Sequence, residues 1–140
     1  NQHGETGGRC DGGVAILQVH GTEDPCWGYE QGSTTCTAIH DDSDVKIGVA
    51  TTLEGWRRRN GCEPATDTVA LPDADPGDGT RGTRVAYRGC RAAVEGIRIE
   101  GGGHTWPGGD QYFPRSVVGR VTRDFGSEIL VEFFGAHPKP

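Results

Sequence analysis

The chain has 140 residues, of which only 33% are hydrophobic and 24 are glycine, and this composition is apolar-poor for a domain that buries a core alone. Its formal net charge of −6 argues against a nucleic-acid partner, and no apolar run approaches the ~18 residues of a membrane span. We therefore expect residues 1–140 to be part of a single domain that another segment completes.

The cysteines point to an oxidising compartment. Five are many for a cytosolic chain of this size, and none shows the C-x-x-C spacing of a zinc site. Disulfides in a secreted protein are therefore expected. An odd number leaves one cysteine unpaired within the chain, and the first could reach a companion segment; the five are Cys10, Cys26, Cys36, Cys62 and Cys90.

The first predicted element is a strand at residues 14–19, an apolar run broken only by Gln18 and followed by His20-Gly21. Such a run is typical of a strand inside a parallel sheet that helices cover. A helix is predicted next, with Asp44 as N-cap and Gly61 just past its end. Its apolar stripe has three- and four-residue spacing, at Val45, Val49, Leu53 and Trp56.

Two β-prone stretches follow, at residues 67–71 and 83–87, around a tip rich in turn-forming residues at 72–79. They predict a β-hairpin. Residues 93–99 predict a second sheet strand, which ends in the glycines of 101–103. A terminal helix is expected after Thr122 or Asp124 as N-cap, with an apolar face of Phe125, Ile129, Leu130, Phe133 and Phe134.

This order of strand, helix, hairpin, strand and helix predicts an α/β fold. Two main strands make a sheet too narrow to cover both helices, so we expect most of the sheet to lie elsewhere. The hairpin is expected as an excursion from that sheet.

Polar residues follow both predicted sheet strands. Asp24 lies just after the first strand and His104 just after the last. Ligands of open α/β sheets bind beyond the carboxyl ends of the strands, where these side chains could meet. A carboxylate bonded to an imidazole can fix its tautomer and stabilise the imidazolium during catalysis. Taken alone, each residue also fits an ordinary turn or loop position.

Four stretches carry a resemblance to a known family. They are His20-Gly21-Thr22-Glu23-Asp24-Pro25, Arg59-Asn60-Gly61-Cys62, Tyr87-Arg88-Gly89-Cys90 and Glu100-Gly101-Gly102-Gly103-His104-Thr105-Trp106-Pro107-Gly108-Gly109. In this order they resemble the C-terminal half of the secreted esterases of the polyhydroxybutyrate depolymerase and feruloyl esterase group. The resemblance extends over residues 14–137 and implies the C-terminal portion of an α/β-hydrolase fold.

The resemblance implies that Asp24 is the acid and His104 the base of a Ser-His-Asp triad. The serine of this family lies in an upstream Gly-x-Ser-x-Gly turn, and that pentapeptide is absent from the 140 residues. A companion segment is therefore expected to carry the serine. The implied substrates are feruloyl or acetyl esters of plant polysaccharide, or short hydroxyalkanoate polyesters. No metal and no organic cofactor are expected.

The resemblance also implies a disulfide between Cys62 and Cys90. Proximity in sequence suggests a second disulfide between Cys26 and Cys36, and a free thiol at Cys26 is the alternative. Three aromatic residues flank the two catalytic candidates and could bind an aromatic ring or an acyl chain, although core packing explains them equally well. These three residues are Trp27, Tyr29 and Trp106.

Two other functions fit parts of the sequence. The chain could be a non-catalytic extracellular module that binds sugars or aromatic ligands on a hydrolase scaffold. The acidic residues of the hairpin tip superficially resemble a calcium loop, but their spacing differs and no bidentate Glu follows. We expect that tip, which contains Asp73, Asp75 and Asp78, to be a solvated turn.

Overall fold

The computed structural model describes residues 13–30 and 47–138. These residues form four strands and three helices around one sheet. In chain order they are β1 (Ile16–Gly21), α1 (Val49–Arg59), β2 (Thr66–Ala70), β3 (Arg81–Tyr87), β4 (Val94–Glu100), α2 (Arg115–Val118) and α3 (Glu128–Ala136). The predicted α/β class is correct, and the mixed sheet with helices is compatible with part of a hydrolase-like fold.

The strands are ordered β1-β4-β3-β2. β1 pairs with β4 in parallel, and Val19 lies opposite Ile97. The remaining pairs are antiparallel. The predicted hairpin is confirmed as β2 and β3, but the expectation of an excursion was wrong because β3 pairs with β4 in the same sheet. Among the described residues β1 is an edge strand, which explains why it is half-buried rather than fully buried as its apolar run suggested.

Alternation along β4 divides the core between the two faces of the sheet. On one face, Val94 packs with the buried Val49 and Leu53 of α1. On the other, Ile97 and Ile99 form a second cluster with two further buried side chains, Phe125 and Ile129. Helices α1 and α3 thus pack on opposite faces of the sheet, and loops follow the ends of its strands.

Helix α1 begins later than the sequence predicted. Asp44 and Val45, its expected start, lie outside the described residues. Gly48 has an extended backbone with φ −61° and ψ 154°, and helical geometry begins at Val49. The predicted end is confirmed: the helix stops at Arg59, and Gly61 adopts a positive φ of 68°.

Helix α3 also begins later than predicted, and both expected N-cap side chains have long-range partners. Thr122 is buried and its hydroxyl lies 2.7 Å from that of Thr80. Asp124 accepts a hydrogen bond from the main-chain amide of Asp75. The helix starts at Glu128 after Ser127 instead. Consequently Phe125 lies before α3, although it packs in the core, and Phe134 is 53% exposed. The sequence did not predict the short helix α2.

The hairpin tip was expected to be a solvated turn, but one of its acidic residues is buried. Asp78 is buried, and its carboxylate accepts hydrogen bonds from Thr80 and from the main-chain amide of Arg123. These bonds tie the tip to the segment before α3. The tip is therefore part of the packed structure at that position.

The disulfide between Cys62 and Cys90 is confirmed, and it joins the segment just after the end of α1 to the turn between β3 and β4. Cys26 is also disulfide-bonded, so the alternative of a free thiol there is wrong. Cys10 and Cys36 lie outside the described residues. No helix in the described part of the chain is long and apolar enough to cross a membrane.

Candidate active site

The site lies where β1 and β4 end side by side. Because the two strands are parallel, the loops that follow them leave the same edge of the sheet. Close main-chain packing joins these loops: the amide of Thr22 bonds to the oxygen of Ile99, and that of Glu23 to the oxygen of Gly102. A Cβ added at Gly21 would lie 2.1 Å from the Gly102 oxygen, so the glycine of the His-Gly-Thr motif is required for this contact.

The loop after β4 is fixed in the same way. The amide of His104 donates to the oxygen of Val118 over 2.6 Å, and the amide of Gly103 donates to the oxygen of Arg120 over 2.9 Å. A Cβ at Gly103 would lie 2.1 Å from the Val118 oxygen. The glycines before His104 therefore let its main chain lie directly against residues 118–120, and this packing sets the position of the imidazole.

Asp24 is the buried acid of the site, with 8% of its surface exposed. Its Oδ1 accepts hydrogen bonds from the main-chain amides of Cys26 (2.7 Å) and Trp27 (2.8 Å), which form a tight turn around the carboxylate. Its Oδ2 lies 2.9 Å from Nδ1 of His104. The two residues that the sequence placed after neighbouring strands are thus in direct contact, although 80 positions separate them.

A second histidine contacts the same carboxylate. Nε2 of His20 lies 3.2 Å from Oδ2 of Asp24 and 2.9 Å from the carbonyl oxygen of Trp27. Because a carbonyl oxygen only accepts hydrogen bonds, Nε2 of His20 carries a proton in this arrangement. The sequence placed His20 inside a motif without giving it a role. A His two residues before a turn carries no signal that would have revealed this contact.

Hydrogen bonds control the protonation of the acid. Burial acts to raise the pKa of Asp24, but the bonds from two histidines and two main-chain amides outweigh burial and hold the pKa below its ordinary value. Burial acts to lower the pKa of His20, but its bonds to Asp24 and Trp27 outweigh that effect and raise the pKa above its ordinary value. The site therefore keeps Asp24 ionised.

A cavity of about 350 Å³ opens beside these residues. Its apolar lining comes from Val19, Ile99, Trp106, Pro107 and Tyr112, and His20, Asp24 and His104 also line it. The Trp106 indole donates to the Ser127 hydroxyl over 2.9 Å, and the Tyr112 hydroxyl donates to the main-chain oxygen of His104. Sequence reasoning missed Tyr112, whose only signal was an aromatic side chain eight positions after His104.

The three predicted aromatic residues differ in position. Trp106 lines the cavity and is 53% exposed. Trp27 donates its indole N–H to the carbonyl oxygen of Ile47, and Tyr29 packs against the α1 core cluster with Arg98 above its ring at 5.5 Å. Neither Trp27 nor Tyr29 lines the cavity, so Trp106 alone of these three side chains faces it, and Trp27 contacts Asp24 through its main-chain amide.

One group of metal-ligating residue types occurs among the described side chains. Ligand atoms of Asp24, Cys26 and His104 lie within 4.8 Å of one another. The Cys26 sulfur is engaged in a disulfide and is therefore not a thiolate ligand. The remaining carboxylate and imidazole bond to each other, so this group does not form a metal-binding set. Among the described residues, the acidic side chains of the hairpin tip form no such group.

Comparison with known proteins gives one informative match. Over 89% of its length, the chain is 30% identical to the "Putative esterase NocK" of Nocardia uniformis subsp. tsuyamanensis. The chain spans only 38% of the length of that protein. No protein-family model matches the chain. No solved structure matches it. The chain is therefore similar to part of an esterase-like protein.

Proposed function

We propose that this chain is the C-terminal part of a carboxylic ester hydrolase of the polyhydroxybutyrate depolymerase and feruloyl esterase type. The observation that carries the proposal is the 2.9 Å contact between the buried Asp24 carboxylate and Nδ1 of His104 at the mouth of a cavity. The similarity to an esterase-like protein independently supports hydrolysis of an ester.

The contact supports a role for each residue in this proposal. With Nδ1–H donated to Asp24, the lone pair of the His104 ring lies on Nε2, which can accept a proton from a serine hydroxyl. The serine attacks the ester carbonyl and forms an acyl-enzyme, and His104 then returns the proton to the leaving alcohol. Asp24 holds the tautomer and stabilises the imidazolium. No metal or organic cofactor takes part in these steps.

The serine is proposed to lie in a companion segment. The 140 residues lack a Gly-x-Ser-x-Gly turn, and the similar protein is more than twice as long as the chain. Within the described residues, β1 leaves one edge unpaired, and that edge offers main-chain groups to a further parallel strand. A strand pairing there would end beside the cavity, where its following turn could bring a serine to His104.

The lining of the cavity favours an ester with a ring or an apolar acyl group. Apolar side chains line the cavity beside Asp24 and His104, and Trp106 and Tyr112 are each about half exposed. Feruloyl or acetyl esters of plant cell walls and hydroxyalkanoate polyesters are the proposed substrates. A secreted location agrees with the disulfides at Cys62 and at Cys26, since disulfides persist in oxidising compartments.

The test is the replacement His104→Ala in the complete protein, assayed with methyl ferulate and with a short-chain nitrophenyl ester. We expect kcat/KM to fall by about 10⁴-fold or more, because the proton acceptor is removed. His137→Ala is the matched control. That histidine lies at the end of α3, with its Nε2 3.6 Å from Glu95, and its loss should leave turnover unchanged.

Labelling by a fluorophosphonate probe provides a second measurement. A serine in the companion segment should be labelled in the native protein and in the His137 control but not in the His104 variant. Near-normal turnover in His104→Ala would contradict the proposal. Absence of labelling, combined with sugar or aromatic-ligand binding that Trp106→Ala abolishes, would favour the non-catalytic binding module instead.

A further inference from the structure

Two imidazoles share one oxygen of the buried acid. Oδ2 of Asp24 lies 2.9 Å from Nδ1 of His104 and 3.2 Å from Nε2 of His20. His104 comes from the loop after β4, whereas His20 belongs to β1 itself and is held by strand pairing opposite Arg98. Strand β1 thus supplies a second donor to the carboxylate of Asp24, which lies in a loop.

We infer that His20 is a positioning residue that sets the orientation of the Asp24 carboxylate, and through it the tautomer of His104. This inference deepens the proposed function, on which its catalytic meaning rests. It assigns a role to a side chain that makes no proton transfer in the reaction.

The hydrogen bonds show what this donor adds. The amides of Cys26 and Trp27 both bond to Oδ1. Rotation of the carboxylate about its bond to Cβ would move both oxygens together and take Oδ2 away from His104, so the two amides resist this rotation at Oδ1. His20 opposes this rotation from the strand, and its contact with the Trp27 oxygen also closes the turn that contains Asp24. Both contacts use the same ring nitrogen.

The raised pKa of His20 and the lowered pKa of Asp24 agree with a hydrogen-bonded contact in which Asp24 stays ionised. The charged and titratable groups around His20 include Asp24 in the following loop and His104 on the same Asp24 oxygen. They also include Tyr29, with its ring 6.1 Å away, and Arg98 on β4. Packing against Tyr29 is the competing explanation for a histidine at this position. An experiment must therefore separate the hydrogen-bond donor from the ring.

Three replacements at one position make this separation. The amide nitrogen of Gln can occupy the place of Nε2 of histidine, that of Asn is too short to reach it, and Leu fills space without a donor. The measurement is the pair of ¹⁵N shifts of the His104 ring in the full chain, which distinguishes Nδ1–H from Nε2–H. Asp24→Asn serves as the reference for a lost acid.

We expect the native chain and His20→Gln to hold His104 as the Nδ1–H tautomer. His20→Leu and His20→Asn should shift it towards the tautomer mixture of the Asp24→Asn reference. In the complete protein, kcat/KM of the Leu variant should fall by about 10²-fold, the effect of a small misplacement of a catalytic group. If the Leu variant does not fold, the comparison of Gln with Asn still decides the question.

The inference is overturned if Leu or Asn leaves the tautomer of His104 unchanged, or if Gln disturbs it as much as Leu does, because the ring rather than the donor would then matter. The ring shifts need no substrate. If the His104 tautomers are as expected but the complete protein hydrolyses no ester, the proposed function is contradicted and the role of His20 is not. If the complete protein is an active esterase but His20→Leu and His20→Asn leave the His104 ring shifts unchanged, only the role of His20 is contradicted.

Discussion

At the scale of single residues, the acid of the site shows what burial of a charge requires. An ionised carboxylate without hydrogen bonds is too costly to bury, and it takes up a proton instead. Asp24 avoids this because two main-chain amides and two imidazoles contact its two oxygens. The same donors hold its pKa low. An acid that stays charged can stabilise an imidazolium, so burial and chemistry depend on the same hydrogen bonds.

Asp78 applies this principle away from the site, where stability can be measured. Burial acts to raise its pKa, but hydrogen bonds from Arg123 and Thr80 outweigh burial and lower the pKa. The ionised carboxylate therefore stabilises the fold above the pKa of about 3.8 expected in the unfolded chain, and this stabilisation is lost as pH falls through the lower folded value. The charge thus contributes fully at neutral pH.

We expect Asp78→Asn to lower the free energy of unfolding at neutral pH by about 1 to 3 kcal/mol, because a buried N–H donor loses its acceptor. Urea unfolding at a series of pH values should show the difference from the native chain narrowing in acid. Asp110→Asn is the control, since Asp110 is exposed. A loss of stability that stays constant with pH would show that the charge is not the cause.

The sequence predicted that Asp24 and His104 could meet because each follows a strand, and the family resemblance singled out the same two residues. It could not predict the contacts of His20 and Tyr112, whose partners are an oxygen of the Asp24 carboxylate and a main-chain carbonyl. The same limitation produced the wrong N-cap for α3. Thr122 has the residue type of a cap, but a partner 42 positions away engages its hydroxyl. Local patterns do not encode such contacts.

At the scale of elements, the loop after β4 depends on backbone contact that only glycine permits. Gly103→Ala would place its Cβ 2.1 Å from the Val118 oxygen, and rigid main chain cannot yield as a flexible side chain can. We expect the substitution to displace His104 and to destabilise the chain by about 1 to 3 kcal/mol, the range of an overpacked site. The ring shifts of His104 and urea unfolding would measure the two effects.

Gly55 gives the matched control. It lies in the middle of α1, and a Cβ there would meet nothing within 4 Å. Gly55→Ala should therefore stabilise the chain by about 0.5 to 1 kcal/mol, because alanine loses less backbone entropy in a helix. If both glycine substitutions changed stability in the same direction, the close approach of main-chain atoms at Gly103 would not explain the effect of Gly103→Ala.

The elements themselves were largely predictable. Apolar runs and turn residues gave both halves of the hairpin, the strand at β4 and the end of α1. Pairing between elements was not predictable, because alternation shows that a strand has two faces but not which strand lies beside it. The hairpin was therefore expected apart from the sheet, whereas β3 pairs with β4.

At the scale of the whole molecule, the sheet separates the candidate site from the disulfide. Its one end, beyond Gly21 and Glu100, carries the candidate site. Its other end carries the disulfide between Cys62 and Cys90, before β4 begins. The seven residues of β4 span roughly 20 Å between the two ends. Stability and site geometry should therefore respond independently to changes at opposite ends.

The double substitution Cys62→Ala and Cys90→Ala tests this independence. The disulfide closes a loop between cysteines 28 positions apart, so its removal should lower the free energy of unfolding by about 3 to 4 kcal/mol. Substitution is preferable to chemical reduction, which would also open the disulfide at Cys26 beside Asp24. Because the sheet holds both site loops through main-chain bonds, the ring shifts of His104 should not change in the folded variant. Altered shifts would show that the far end of the sheet also sets the geometry of the site.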